Sequence, residues 1–178
     1  RRFLKGTGNS SETIWFDTWI SGYHFVFLGG EAAGLHADLS NAQLAWLEET
    51  LAKDRVEGRP TFLFLHQGLM DTVAGTFKYQ NWHGVKQSTQ LRRILRQYPE
   101  VVLFSGHSHW TMESAHTVKP ADSSLPSVVS TASCAYLWDD SCIATNVGIV
   151  GSEGYYIYLY ENCLIVRGRS FDRGEWIG

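Results

Sequence analysis

The 178-residue sequence lacks several features that would assign a broad functional class directly. It has no basic run, and 15 Lys and Arg stand against 18 Asp and Glu, so binding to a nucleic-acid backbone is not expected. No apolar stretch reaches the roughly 20 residues of a membrane span. The three cysteines have no metal-finger spacing and are most simply small buried residues or one disulfide. With 44% hydrophobic and 19% charged residues, the composition is that of an ordinary globular protein.

The length suits one unit over residues 1–178, with a sizeable core. The chain begins Arg-Arg-Phe without a methionine, and no apolar core of a signal peptide follows. We therefore expect the sequence to be part of a longer protein.

Two apolar segments end in histidine and point to one site. In Val101 to Trp110, VVLFSGHSHW, an apolar run of strand type ends at Ser105-Gly106, and His107 and His109 follow two residues apart. Thr61 to His66, TFLFLH, repeats the design. Histidine is the commonest side-chain metal ligand, and α/β proteins place their sites at the open ends of buried strands. The two strands could therefore bring their histidines together at one sheet edge.

The rest of the chain predicts a mixed α/β order, with helical crossovers first and a β-rich end. Ser40 and Gln43 form a capping-box pattern ahead of an apolar stripe, and a loop with His36 and Asp38 precedes that helix. The other expected elements are a hairpin of Thr13–Trp19 and Tyr23–Leu28, a helix over Gln87–Gln97, strands over Thr111–Val118 and Ser127–Thr131, an irregular region over Ser133–Gly154, and a hairpin of Tyr155–Tyr160 and Leu164–Phe171.

The loop Gln67 to Gly84 leaves the end of a strand at the suspected site. Loops of this length in compact domains are usually either functional or disordered. Its aromatic and amide side chains suit a lid that faces a substrate, although a plain surface loop fits equally well. The candidate substrate contacts are Gln67, Asn81, His83 and Trp110.

A strand ending in histidine, a variable loop, a helix and a strand ending in Gly-His-x-His together resemble the C-terminal half of the calcineurin-like metallophosphoesterases. Gly106-His107-Ser108-His109 is the most specific part of the match. The other matching segments are Phe25–Gly29, Gln43–Leu51, Ser127–Ser133 and the final hairpin.

The resemblance implies a fold and a chemistry. The fold would be the C-terminal half of a four-layer αββα sandwich, an α/β (α+β) arrangement with a mixed β-sheet and two main helices. The intact protein would hold two divalent ions (Mn, Fe or Zn), with His66 and His107 on one ion and His109 on the other. A hydroxide bridging the two ions would then hydrolyse a phosphate mono- or diester.

Three motifs of the resembled family are missing from the sequence: Asp-x-His, Gly-Asp and Gly-Asn-His-Asp or -Glu. In that family these motifs supply the bridging aspartate, an asparagine that binds a phosphate oxygen and a histidine that can protonate the leaving group. We therefore expect a metal-dependent phosphoesterase whose N-terminal half is absent here. No residue of this chain is assigned a catalytic role, and the chain alone should be inactive and bind metal weakly or not at all.

Half of a sandwich would expose an apolar sheet face. The expected partners are the missing N-terminal half or a second copy of the chain, together with a phosphate-ester substrate. Two alternatives remain open. One is a non-catalytic module in which aromatic residues of Lys78 to His83, with Trp110 and Trp138, recognise a sugar or nucleoside. The other is an interaction domain whose histidines are structural.

Overall fold

A six-stranded mixed sheet is the centre of the fold in the computed structural model, which describes residues 12–53, 55–80 and 83–178. Its strands are β1 (Phe16–Ile20), β2 (Tyr23–Phe27), β3 (Thr61–Phe64), β4 (Val101–Ser105), β5 (Val118–Lys119) and β6 (Ser127–Ser130). They lie in the order β1-β2-β3-β4-β6-β5, with β2, β3, β4 and β6 parallel and the two edge strands antiparallel. The predicted mixed sheet is confirmed.

Helices and a second, three-stranded sheet complete the described chain. The helices are α1 (Asn41–Lys53), α2 (Ser88–Leu95) and α3 (Asp140–Thr145), and the second sheet has the order β7 (Glu153–Leu159), β8 (Leu164–Ser170), β9 (Glu175–Ile177). The two main helices and the final hairpin were predicted, whereas α3 lies in a region expected to be irregular. None of the helices in these residue ranges has the length and apolar character needed to cross a bilayer.

Helix α1 begins where the sequence predicts and is tied to the end of β2. The Ser40 hydroxyl accepts a hydrogen bond from the Gln43 backbone N–H at 3.2 Å, which caps the helix. The Gln43 side chain turns away from the cap and bonds the Gly29 backbone twice, at 3.0 Å to its N–H and 2.9 Å to its carbonyl. This buried amide therefore fixes the start of the crossover helix against the sheet.

The central strands are buried on both faces. On one face, Leu63 of β3 and Leu103 of β4 pack against the apolar sides of α1 and α2. On the other, Phe62 and Phe104 contact residues of the second sheet, namely Tyr155, Leu164 and Val166. Continuously apolar strands are typical of this double covering, as expected for TFLFLH.

Four phenylalanines stack across neighbouring strands of the main sheet, and we call them the Phe ladder: Phe16, Phe27, Phe64 and Phe104. Successive ring centroids are 4.7, 4.9 and 5.4 Å apart. Phe104 is buried, but the other three are only half-buried. The second sheet therefore leaves part of this aromatic face uncovered.

The strand expected over Thr111–Val118 is wrong, because only Val118–Lys119 pair with the sheet. A buried carboxylate explains the difference. Glu153 is 1% exposed, and it accepts hydrogen bonds from the Met112 backbone N–H at 2.7 Å and the Thr111 hydroxyl at 3.1 Å. Since a buried carboxylate must be hydrogen-bonded, these donors serve Glu153 instead of a β-ladder.

Leu63 is fully buried in the core, so truncation of its side chain should strongly destabilise the fold. We expect Leu63→Ala to lower the free energy of unfolding by about 2 to 5 kcal/mol, through lost burial and a residual cavity. Val150→Ala is the control, since Val150 is 95% exposed, and its effect should stay within about 0.5 kcal/mol. Urea denaturation measures both, and equal effects would contradict the assigned core.

Candidate functional site

The histidines at the ends of β3 and β4 are brought together by backbone pairing that continues past both strands. Phe64 pairs with Phe104, the Leu65 N–H donates to the Phe104 carbonyl at 3.1 Å, and the Gly106 N–H donates to the His66 carbonyl at 3.0 Å. His66 and Gly106 are thus neighbours across the sheet. His107 follows directly and lies beside His66.

The two imidazoles have the separation that a shared ion requires. The His66 and His107 ring centroids are 5.1 Å apart, with the ring planes at 74°. Two imidazoles whose nitrogens each lie about 2.0 to 2.1 Å from one tetrahedral ion have centroids roughly 5 Å apart. No group of three His, Cys, Asp or Glu side chains within residues 12–53, 55–80 and 83–178 could hold an ion. His66 and His107 fit as two ligands of a site that needs others.

The Gly-His-Ser-His turn is strained at both histidines. His107 has φ +68° and His109 has φ +58°, a left-handed conformation that costs about 1 to 2 kcal/mol for a residue with a side chain. Such strain concentrates at functional sites, where the surrounding structure holds it in place. The two left-handed residues flank Ser108, so one short turn carries both imidazoles. This backbone conformation is the strongest local sign of a function.

The loop after β3 packs against this turn. Ser108 is buried, and its hydroxyl donates to the Ala74 carbonyl at 3.4 Å. Gly75 fits against the turn only because it has no side chain: a Cβ there would lie 2.3 Å from the Cβ of Ser108 and 2.8 Å from Trp110. The loop is therefore a packed part of the site.

His109 is held by the segment around Tyr136, a residue that the sequence analysis did not single out. The Tyr136 ring lies 4.4 Å from the His109 ring, and the Tyr136 backbone carbonyl accepts a hydrogen bond from that imidazole. The Trp138 N–H also donates to the His109 carbonyl at 2.8 Å. His109 Nδ1 is buried and has no hydrogen-bond partner among the described residues. A nitrogen in this state is available to an ion.

Burial and mutual repulsion keep the imidazoles neutral. Burial lowers the pKa of His107 to about 4, helped by the nearby imidazoles of His66, His83, His109 and His36. Burial also lowers the pKa of His109, against the hydrogen bond that its imidazole donates to the Tyr136 carbonyl, which raises the pKa. A neutral imidazole keeps the lone pair that binds a metal.

The candidate substrate contacts lie in different surroundings. Gln67 follows His66 and is half-buried, whereas Trp110 is 1% exposed and packs beneath the turn. His83 is half-buried and contacts His36. Asn81 lies outside the described residues. A contact between substrate and any of these four residues stays a prediction.

The loop itself is anchored by its own polar groups. The hydroxyls of Thr72 and Thr76 donate to carbonyls within the loop at 2.6 and 2.7 Å, and the Gln80 amide donates to Asp140 at 2.9 Å. Both threonines and Gln80 are buried. This part of the loop thus resembles a fixed wall more than an open lid.

The chain matches no protein-family model and no curated protein. The resemblance to calcineurin-like metallophosphoesterases therefore stays a prediction. The case for a function rests on the chemistry of the histidines at the strand ends.

The left-handed backbone at His109 predicts that glycine is more stable than alanine at this position, the reverse of the usual order. Both His109→Gly and His109→Ala remove the imidazole, but only glycine accepts φ +58° without cost. We expect the glycine variant to be the more stable by about 1 kcal/mol in urea denaturation. At Ser108, whose φ is not positive, the same pair should favour alanine by about 0.4 to 1 kcal/mol. The same order at both positions would contradict the strained turn.

The lowered pKa of His107 predicts a loss of stability in mild acid. Its pKa is about 4 in the folded protein against 6.5 in the unfolded chain, so only the unfolded chain takes up this proton as the pH falls from 6.5 to 4. We expect His107→Gln to weaken this pH dependence of the unfolding free energy. An NMR titration of the His107 ring with a midpoint near 6.5 would contradict it.

Proposed function

We propose that this chain supplies the histidine ligands of a dinuclear metal centre that hydrolyses a phosphate mono- or diester in the intact parent protein. His66 and His107 hold one divalent ion, Mn, Fe or Zn, and His109 holds the other. The observation that carries the proposal is the placement of His66 and His107 on adjacent strand ends, with ring centroids 5.1 Å apart.

The residues of the chain position these ligands. Bound divalent ions would supply a water of lowered pKa and would offset the negative charge of the phosphoryl oxygens. The Tyr136 carbonyl orients the His109 ring by accepting its hydrogen bond, as acceptors around metal ligands commonly do. Gly106 packs closely against Thr131, since a Cβ there would lie 3.3 Å from the Thr131 hydroxyl, and it adjoins His66, whose Nδ1 would be 3.7 Å away.

The carboxylate ligands come from polypeptide beyond these residues. Asp139 caps α3 by accepting from the backbone N–H of Ser141 at 2.9 Å and of Cys142 at 3.2 Å. Asp140 accepts from Gln80. Both acids therefore already serve the structure as helix cap and hydrogen-bond acceptor.

The uncovered aromatic face supports a partner at this position. A cavity of about 260 Å³ lies between the Phe ladder and the site, and His66 and Gly106 form part of its wall. A half-buried aromatic surface beside a site that needs further ligands suits docking of additional polypeptide. The occupant is the N-terminal half of the parent protein or a second copy of the chain.

The proposal predicts that hydrolysis by the intact parent protein depends on metal and on His107. We expect excess chelator, and His107→Ala, each to lower the hydrolysis of p-nitrophenyl phosphate or its bis ester by about a hundredfold or more. His116→Ala is the control, because His116 is an exposed histidine that contacts the Phe77 ring and is assigned to neither ion. The chain alone should be inactive. Unchanged hydrolysis by the intact protein in chelator, and with the His107 substitution, would reject the function.

A further inference from the structure

A second pair of histidines, His36 and the candidate substrate contact His83, lies beside the strand-end histidines. The ring centroids of His36 and His83 are 4.4 Å apart, and their planes meet at 70°. His36 precedes α1 and His83 precedes α2, so the pair joins two loops that are distant in sequence. No periodic pattern in either loop indicates the contact.

The tautomer of neutral His36 is set by a hydrogen bond to the backbone. Its Nδ1 lies 3.2 Å from the Gly84 carbonyl oxygen, and a carbonyl can only accept a hydrogen bond. Nδ1 therefore carries the proton, and in the neutral ring Nε2 carries the lone pair. Metal-binding histidines are typically held in this way, with one ring N–H on a backbone carbonyl and the other nitrogen on the ion.

The two loops that carry the pair are joined by their backbones. Ala37 and Val85 form a parallel bridge, and the Ala37 N–H donates to the Gly84 carbonyl at 3.2 Å. The Lys86 N–H donates to the Ala37 carbonyl at 3.0 Å, and its ammonium group pairs with Asp38 at 2.7 Å. These bonds hold the two loops side by side before any ligand arrives, which lowers the ordering cost of binding.

We propose that His36 and His83 form a further metal site, which binds one divalent transition-metal ion of the Ni²⁺ or Cu²⁺ type. Their separation of 4.4 Å is shorter than the roughly 5 Å of a tetrahedral pair and corresponds to ligands at nearly a right angle. Octahedral and tetragonal ions have that geometry. Among the described residues no third side chain joins the pair, so water completes the coordination.

Burial argues against a purely structural contact between the two rings. His36 is exposed and His83 is half-buried, so their edge-to-face packing removes little apolar surface from water. The site is accessible to a hydrated ion for the same reason. It lies near the strand-end histidines, since both imidazoles act on the charge of His107.

Titration of the chain with Ni²⁺ by calorimetry tests the pair by itself. The titration uses the double variant His107→Ala, His109→Ala, which removes two of the three strand-end ligands. We expect one Ni²⁺ to bind, and His36→Gln or His83→Gln in this background to weaken it by about tenfold or more. His116→Gln is the matched control and should leave the affinity unchanged. Pulsed EPR with Cu²⁺ should show two coordinated imidazoles, and one after either glutamine substitution.

The opposite results would overturn the site. Absence of Ni²⁺ binding in the double variant, or binding that persists unchanged with both His36→Gln and His83→Gln, contradicts it. The outcome is independent of phosphate-ester hydrolysis, because that activity is assigned to His66, His107 and His109. Loss of hydrolysis therefore leaves the Ni²⁺ site in place, and loss of Ni²⁺ binding leaves the proposed function in place.

Discussion

The hydrogen bond from the Gly106 N–H to the His66 carbonyl is the contact on which the candidate site depends. It continues the ladder of β3 and β4 one step beyond the strands, so that two histidines far apart in sequence become neighbours. A register shift of one residue would send the side chains to the other face of the sheet. The register is secured because both faces of these strands are buried, Leu63 and Leu103 toward the helices and Phe62 and Phe104 toward the second sheet.

That secure register supports a turn that is unfavourable by itself. Two left-handed histidines separated by a single serine would not persist in an isolated peptide. Here the turn is fixed from below by Ser108 against the loop at Gly75, and from the side by the pairing of Trp110 with Trp138. The core of the protein thus stabilises a strained arrangement that places the nitrogens of His107 and His109, and the strain connects the packing to the proposed chemistry.

Local patterns in the sequence were enough to predict the elements that carry the candidate metal ligands. Continuous apolar runs predicted β3 and β4, and the capping serine predicted the start of α1 at Ser40, because each signal is read within one segment. The same approach was wrong for Thr111–Val118, where the demand of buried Glu153 for donors outweighs β-propensity. It also gave no sign of Tyr136 against His109, or of His36 against His83, since these contacts join distant loops and have no periodic pattern.

The central claim is that His66 and His107 share one ion, and a crystal of the intact parent protein soaked in Zn²⁺ or Mn²⁺ tests it most directly. The account predicts an anomalous peak about 2.0 to 2.3 Å from a nitrogen of each ring. A crystal that binds the ions elsewhere, and leaves the His66 and His107 nitrogens without metal at saturating concentration, would contradict it.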